Sequence, residues 1–387
     1  MKVAQMVSTI PDFLPPEYAA ELSQLQAEAP AMGWPFVKRR MRAELGADWQ
    51  EKFGAFEKEA SHAASLGQVH GATLHDGRRV ACKLQYPDMA SAVESDFGQL
   101  KTMLGLFKRM DGSIDPSAMV VEITDRLREE LDYAREAKHM ALYANMLADR
   151  DFVTVPDPVP ELSTDRLLTM SWVSGKRLDA FEDAPQEVRN RIAEMLFWTW
   201  WGPFNSHAVI HGDPHLGNYQ VTGEGTGLNL LDFGCIRIFP PEFVSGVVDL
   251  YRAILADDFD AAYAAYEKWG FSGLSRELVE VLNIWARFIY GPLLDDRVRS
   301  VADGVTPGEY GRKEAFAVRK LLKEKGPVKI PREFVFMDRA AIGLGAAYLR
   351  LGAELNFYRL FNESLEGFDI EKVAARQAEA KAAVGLD

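Results

Sequence analysis

The chain has 387 residues, 48% of them apolar, enough for two lobes that share a cleft and bury a large core. Its formal charge of −13, from 57 acidic against 44 basic side chains, argues against a duplex nucleic-acid partner and against anionic-membrane attachment by charge alone. Two cysteines, Cys82 and Cys235, make no disulfide framework; residues 1–10 lack a signal-peptide pattern, and no apolar stretch reaches membrane-spanning length. A cytoplasmic protein is expected, with peripheral lipid contact left open.

Residues 11–60 read as helical. Pro15 and Pro16 open a segment in which Tyr18, Leu22, Leu25 and Ala29 share a face, a second helix covers Pro35 to Leu45, and a third candidate runs from Asp48 to Phe53. The period then changes. Gly67 to Leu74 and Arg78 to Gln85 read as strands, and His75-Asp76-Gly77 between them predicts a hairpin. Long helical patterns follow over Ala90 to Met110 and Ser117 to Leu147, then a β-rich stretch from Val153 to Trp172 broken by three prolines. From Pro185 onward helix dominates, interrupted by short strands near Gly217 to Val221 and Leu228 to Leu231. Met195 to Ile210, with Trp198, Trp200 and Trp201, reads as a buried helix. Val328 to Phe361 reads as helices packed on the large lobe, and Glu371 to Ala383 as a solvated helix that frays. This order, taken with the loops that follow, predicts an α+β, two-lobed protein-kinase-like fold: a helical extension over 1–60, a small β-containing N-lobe over 61–175, and a mainly helical C-lobe over 176–387.

Two loops carry the chemistry. His211-Gly-Asp-Pro-His-Leu-Gly-Asn218 is followed, beyond a hairpin, by Leu231-Asp232-Phe233-Gly234. Phosphoryl transfer needs carboxylates that hold a metal ion and one near the nucleophile. Asp213 is suited to orient or deprotonate an acceptor hydroxyl or water. Asn218 and Asp232 are suited to ligate Mg²⁺, or Mn²⁺, bridging the phosphates. His215 is expected to brace the loop. A lone Asp-Phe-Gly is common by chance, whereas both elements in this order are not. The spacing of His211, Asp213 and His215 also admits a transition-metal site, although no further His or Cys lies near in sequence.

Val80-Ala-Cys-Lys83 places an ammonium on a strand, from which it reaches the α- and β-phosphates if a carboxylate holds it. The helix through Glu129, Glu130, Asp132 and Glu136 offers several; Glu130 and Glu136, six apart, point to different sides and suit two different lysines. Ordinary protein kinases cover the phosphates with G-x-G-x-x-G. Here the loop reads Ala60-Ser-His-Ala63-Ala64-Ser65-Leu66-Gly67-Gln68-Val69-His70, which predicts a stiffer turn offering N–H groups and the Ser65 hydroxyl. Cys82 and Cys235, beside Lys83 and Gly234, read as small buried thiols near the nucleotide.

Together these features resemble the UbiB/AarF family of atypical kinases, associated with ubiquinone and other isoprenoid-lipid metabolism. The alanine-rich loop ending in Gln68-Val69-His70, Val80 to Lys83, Leu131-Asp-Tyr-Ala-Arg-Glu136, Leu168 to Gly175, His211 to Asn218 and Leu231 to Gly234 carry the resemblance along most of the chain. Lys2-Val3-Ala4-Gln5 resembles the family's K-x-G-Q motif, which folds over the nucleotide site and occludes protein substrates; Ala4 stands where glycine is usual, and Leu216 replaces a common proline. A start one residue ahead of that motif is expected of a short bacterial form or a trimmed chain.

The resemblance implies ATP or ADP with Mg²⁺ and Lys83 paired with Glu136. It also implies Ala63, Ala64, Ser65 and Gln68 around the nucleotide, and Lys2 and Gln5 entering the cleft with Lys2 facing Glu130. The implied activity is ATP hydrolysis or phosphoryl transfer to a small molecule, with a quinone-like or isoprenoid lipid as partner. Two other readings stay open. An aminoglycoside- or choline-type kinase shares H-G-D-x-x-x-x-N but needs neither Gln68-Val-His70 nor Lys2 and Gln5. A nucleotide-sensing scaffold would bind without turnover, against which stand the intact metal and base residues.

Overall fold

The strand signal around Asp76-Gly77 marks the centre of the N-terminal lobe. In the computed structural model, residues 32–64, 66–87, 128–302, 305–306, 311–325 and 331–386 are described, with the single positions 89, 91 and 98. The helices expected over Pro15 to Ala29 and, apart from positions 91 and 98, over Ala90 to Met110, the first part of Ser117 to Leu147, and Lys2, Gln5 and Ser65 lie outside them.

Helix α1 (Trp34–Leu45) and a 3-10 turn at Trp49–Lys52 lead into β1 (Ala55–Phe56), β2 (His62–Ala64), β3 (Gly67–Thr73) and β4 (Arg79–Gln85). Gly77 turns the β3–β4 hairpin at φ 87, a conformation open to glycine, and Asp76 Oδ1 accepts from Arg78 N at 2.9 Å. The chain continues through α2 (Tyr133–Met146), β5 (Val153–Thr154) and β6 (Leu167–Ser171). Antiparallel pairing gives the order β1-β3-β4-β6, with β2 on β3, so the sheet begins at Ala55, ahead of residue 61. Strand alternation then makes two faces. Val80, Cys82 and Leu84 point back onto Phe36, Val37, Met41, Trp49 and Phe53, one apolar core. Ala81, Leu168 and Met170 point forward into the larger core that continues through the second lobe.

The helical pattern from Ser117 to Leu147 is not one helix. Glu130 and Leu131 form a turn, and α2 starts afresh where the Asp132 side chain accepts from Arg135 N at 2.9 Å. A side-chain cap of this kind ends one helix and begins another without disturbing the hydrophobic period. Glu130 and Glu136 are therefore separated by a turn and do not share a helix.

The second lobe contains β7 (Lys176–Arg177), α3 (Gln186–His207), β8 (Val209–His211), β9 (Tyr219–Thr222), β10 (Gly227–Leu230) and β11 (Ile236–Ile238). After these come α4 (Pro241–Leu255), α5 (Phe259–Lys268), α6 (Arg276–Tyr290), α7 (Arg312–Lys325), α8 (Arg332–Leu351), α9 (Phe357–Ser364) and α10 (Ile370–Ala383). Two small sheets, β5-β10-β9-β7 and β11-β8, carry the loops. Helix α3 is the buried axis: Phe197, Trp198, Trp200, Trp201 and Phe204 are all enclosed. Helix α10 is docked on the lobe and not solvated all round. Val373 and Ala380 are buried, and Gln377 Nε2 donates to the carbonyls of His207 and Phe239 at 2.9 and 2.8 Å, tying the tail to the end of α3. No helix among the described residues is long and apolar enough to cross a membrane.

Candidate active site

Lys83 pairs in register with Val69 and Leu168, so its side chain leaves the forward face of the sheet toward α2. Its Nζ lies 2.7 and 2.9 Å from the two Glu136 oxygens and 3.7 Å from Asp232 Oδ2. The Tyr133 ring centroid is 5.1 Å away, and the lysine is only 7% exposed. Burial opposes the ammonium charge, but Asp232 and Glu136 outweigh it and hold the Lys83 pKa above the ordinary lysine range. Burial also raises the Glu136 carboxyl, against the pull of Lys83. The bidentate contact supports the charged pair at neutral pH.

The two chemistry-bearing loops meet through the β8–β11 pair. Gly212 N donates to Cys235 O at 2.7 Å, and a Cβ at Gly212 would itself stand 2.7 Å from that carbonyl. Asn218 Nδ2 donates to the backbone oxygen of Asp213 at 3.0 Å and to Asp213 Oδ2 at 3.3 Å. The β9–β10 hairpin returns the chain so that Leu231 N bonds Asn218 O at 3.0 Å, which sets Asp232 beside Asn218. Gly234 N then donates to Asp232 Oδ1 at 2.9 Å.

Both His211 and His215 brace this loop, His211 across to Asp232 and His215 locally. His211 Nε2 meets the Asp232 carbonyl, its Nδ1 accepts from Asp213 N at 3.4 Å, and Trp200 Nε1 donates to its carbonyl at 3.1 Å. His215 is exposed and its Nδ1 accepts the Gly217 N–H at 3.1 Å, capping a short turn inside the loop. With both His211 nitrogens engaged, and no three His, Cys, Asp or Glu side chains converging among the described residues, the transition-metal alternative falls.

Other expected residues sort by strand parity. Gln68 pairs with Leu84 and is fully buried on the back face; it exchanges hydrogen bonds with the Met32 backbone at 2.7 and 3.0 Å and meets His70 Nε2 at 2.8 Å. It anchors the chain ahead of α1 on the face opposite Lys83, so the structure does not place its side chain beside Lys83, as a role around the nucleotide would ask. Ala63 pairs with Gln68 and shares that face, so only its backbone can approach a phosphate; Ala64 pairs with Gly67 on the forward side. Cys82 also points backward, and burial pushes its thiol up to about 12. It lies on the opposite face from Lys83, while Cys235 is buried against Arg237 and Gly212. Glu130 lies beside Gly234, with its Cγ 3.6 Å from where a Cβ there would stand.

Sequence reasoning missed two contributors. Tyr133 underlies Lys83 and reaches to 3.1 Å from where a Cβ on Gly67 would stand. Gly343 of α8 lets that helix touch the catalytic loop: a Cβ there would meet Pro214 Cγ at 2.3 Å. The Asp-Tyr following Leu131 hinted at the first; nothing local flagged the second, which depends on a contact 129 residues away in sequence.

A hard cation suits the oxygen donors of this cleft. Asp232 is 31% exposed at its side chain, so it can reach a solvated ion. Asn218 has committed Nδ2 to Asp213, which leaves Oδ1 to offer a cation. Asp232 and Asn218 would hold a hard cation such as Mg²⁺ through two oxygens, short of a full cage, and the ion would supply positive charge in the cleft.

The match to known proteins decides the family. Residues 24–266 fit the model described as the ABC1 atypical kinase-like domain. The chain belongs to the ABC1 atypical kinase-like family. By family it is an atypical kinase, and the resemblance to UbiB/AarF proteins is borne out. This ABC1 chain is 27% identical over 373 residues to the mitochondrial atypical kinase COQ8 of Saccharomyces cerevisiae, covering 94% of this chain and 72% of the yeast protein. It is 35% identical over 272 residues to the mitochondrial atypical kinase coq-8 of Caenorhabditis elegans, covering 67% of this chain but only 35% of that protein. Among solved structures, Rv3197 of Mycobacterium tuberculosis, determined as a complex with erythromycin, superposes with a TM-score of 0.65 at 26% identity, covering 95% of this chain and 92% of that one.

Proposed function

We propose that this ABC1 chain is a Mg²⁺-dependent ATP-binding atypical kinase or ATPase of the UbiB type. It hydrolyses ATP or transfers its phosphate to a small molecule, in support of quinone or isoprenoid-lipid metabolism. The observation that carries the reading is the Lys83 ammonium held by both Glu136 oxygens and 3.7 Å from Asp232, with Asp213 and Asn218 joined on the neighbouring loop. In this reading Lys83 takes the α- and β-phosphates, with Glu136 preventing its collapse onto Asp232. Asn218 and Asp232 hold the cation. Asp213, fixed by Asn218, orients the acceptor hydroxyl or water and takes its proton. When bound, Mg²⁺ supplies positive charge against the phosphate oxygens.

The reading is tested with purified protein, following Mg²⁺-dependent nucleotide binding and phosphate release beside Asp232→Asn and Lys83→Ala. A quinone-precursor-like phenol and anionic liposomes form separate arms. Turnover that either substitution abolishes, and that phenol or lipid stimulates, is the expected result. Nucleotide binding without turnover in any arm would leave a sensor and not a kinase. Absence of metal-dependent binding would sink the reading altogether.

A further inference from the structure

The two peptide planes that flank Phe233 are each gripped on both edges. In the first, between Asp232 and Phe233, the carbonyl is met by His211 Nε2 and the N–H points to Glu136 Oε1 at 3.4 Å. In the second, between Phe233 and Gly234, the N–H donates to Asp232 Oδ1 at 2.9 Å and the carbonyl meets His139 Nδ1 at 3.2 Å. A peptide unit is planar, and in its trans form the C=O and N–H point in opposite directions. Whatever fixes the Phe233 carbonyl therefore fixes the direction in which the Gly234 N–H addresses the Asp232 carboxylate.

His139 is placed for that role. It lies one turn beyond Glu136 on α2, so both side chains leave the same face of the helix. The ring is 2% exposed. A carbonyl only accepts, so Nδ1 carries the proton and Nε2 is left as an acceptor. Among the described residues Nε2 is buried with no hydrogen-bond partner. Burial, reinforced by Arg135, pulls the imidazole pKa down to about 4, which keeps the ring neutral near pH 7. A hydrocarbon of similar size would avoid the penalty of a dry Nε2, so what the ring adds over a hydrocarbon is the bond to Phe233.

We propose that His139 is a positioning residue for the metal–nucleotide complex: by holding the Phe233 carbonyl it sets the peptide plane that aims the Asp232 carboxylate. The inference rests on the nucleotide reading above and extends it to a residue that touches neither metal nor nucleotide. It also makes α2 a single lever, with Glu136 setting Lys83 and His139 setting Asp232.

The test is titration of the full chain with ADP, with and without Mg²⁺, in wild type, His139→Leu and His139→Asn. The asparagine amide can place a donor where Nδ1 stands; leucine keeps the bulk and removes the donor. Loss of one buried hydrogen bond predicts that His139→Leu forfeits about tenfold of the Mg²⁺-dependent gain in affinity while metal-free affinity stays put. His139→Asn should stay within about threefold of wild type. If His139→Leu keeps the full Mg²⁺ gain, or loses metal-free affinity in equal measure, the positioning role is overturned. If wild type shows no Mg²⁺ gain, the nucleotide reading fails first and takes this inference with it. Should His139→Leu not fold, ¹⁵N-histidine spectra of wild type, assigned through His139→Asn, decide instead. A protonated Nδ1 is expected, and a protonated Nε2 overturns the proposal.

Discussion

Lys83 is enclosed between two carboxylates of different character. Glu136 is 3% exposed at its side chain and Asp232 31%, so removing the lysine strands one buried charge while the other can hydrate. Buried pairs of this kind contribute little against a hydrophobic replacement of both partners, yet are severe to break from one side. Glu136→Leu alone should therefore lower stability by about 3 kcal/mol, because among the described residues the ammonium is left with one carboxylate, 3.7 Å away. Adding Lys83→Met should restore more than half of that loss. Urea midpoints of the two single variants and the double variant close the cycle, and a double variant no more stable than the worse single one would show that the pair is net stabilising.

At the scale of elements, the catalytic loop depends on a helix far from it in sequence. Helix α8 reaches Pro214 through Gly343, where a Cβ would overlap the proline ring at 2.3 Å, and a ring carbon cannot swing away like the end of a long side chain. Gly343→Ala should push Pro214 and with it the adjacent Asp213. A displacement below about 1 Å at a reacting group is enough for a tenfold or larger fall in kcat. Nucleotide affinity, which on the proposed reading would rest on Lys83, Asn218 and Asp232, should change much less. Single-turnover rates measured beside equilibrium binding separate the two effects, and a uniform loss of both would mean that the whole cleft had moved.

At the scale of the molecule, acid is expected to loosen the joint between the lobes. The unfolded His139 titrates near 6.5, whereas burial, followed by Arg135, holds the folded ring down to about 4. Below pH 6.5 the unfolded chain takes up a proton that the folded chain refuses. Stability from this group is thus complete above pH 6.5, falls between 6.5 and 4, and falls no further below that. The loss attributable to His139 should reach about 2 kcal/mol between pH 7 and 5. Urea unfolding at both values, compared with His139→Asn, isolates it. Parallel slopes in wild type and variant would show that the ring titrates normally.

Local sequence determined more of this protein than its helical lobe suggests. The β3–β4 hairpin was legible because Asp-Gly sits between two alternating runs, and the meeting of Asp213, Asn218 and Asp232 was legible because they keep fixed spacings on loops that follow apolar strands. The membership of Glu136 in the Lys83 pair came from the resemblance, since its neighbours Glu129, Glu130 and Asp132 are equally acidic. Tertiary structure decided what spacing cannot encode. Gln68 turned to the back of the sheet because a strand exposes alternate residues to opposite faces, and only the register with Leu84 says which face is which. The Asp132 cap split a helix whose hydrophobic period runs on undisturbed. His211 joined His215 as a brace because the Asp232 carbonyl, 21 residues on, comes back beside it. Short-range stereochemistry is written in neighbouring residues. Which side chains finally meet depends on pairing between segments that no local pattern specifies.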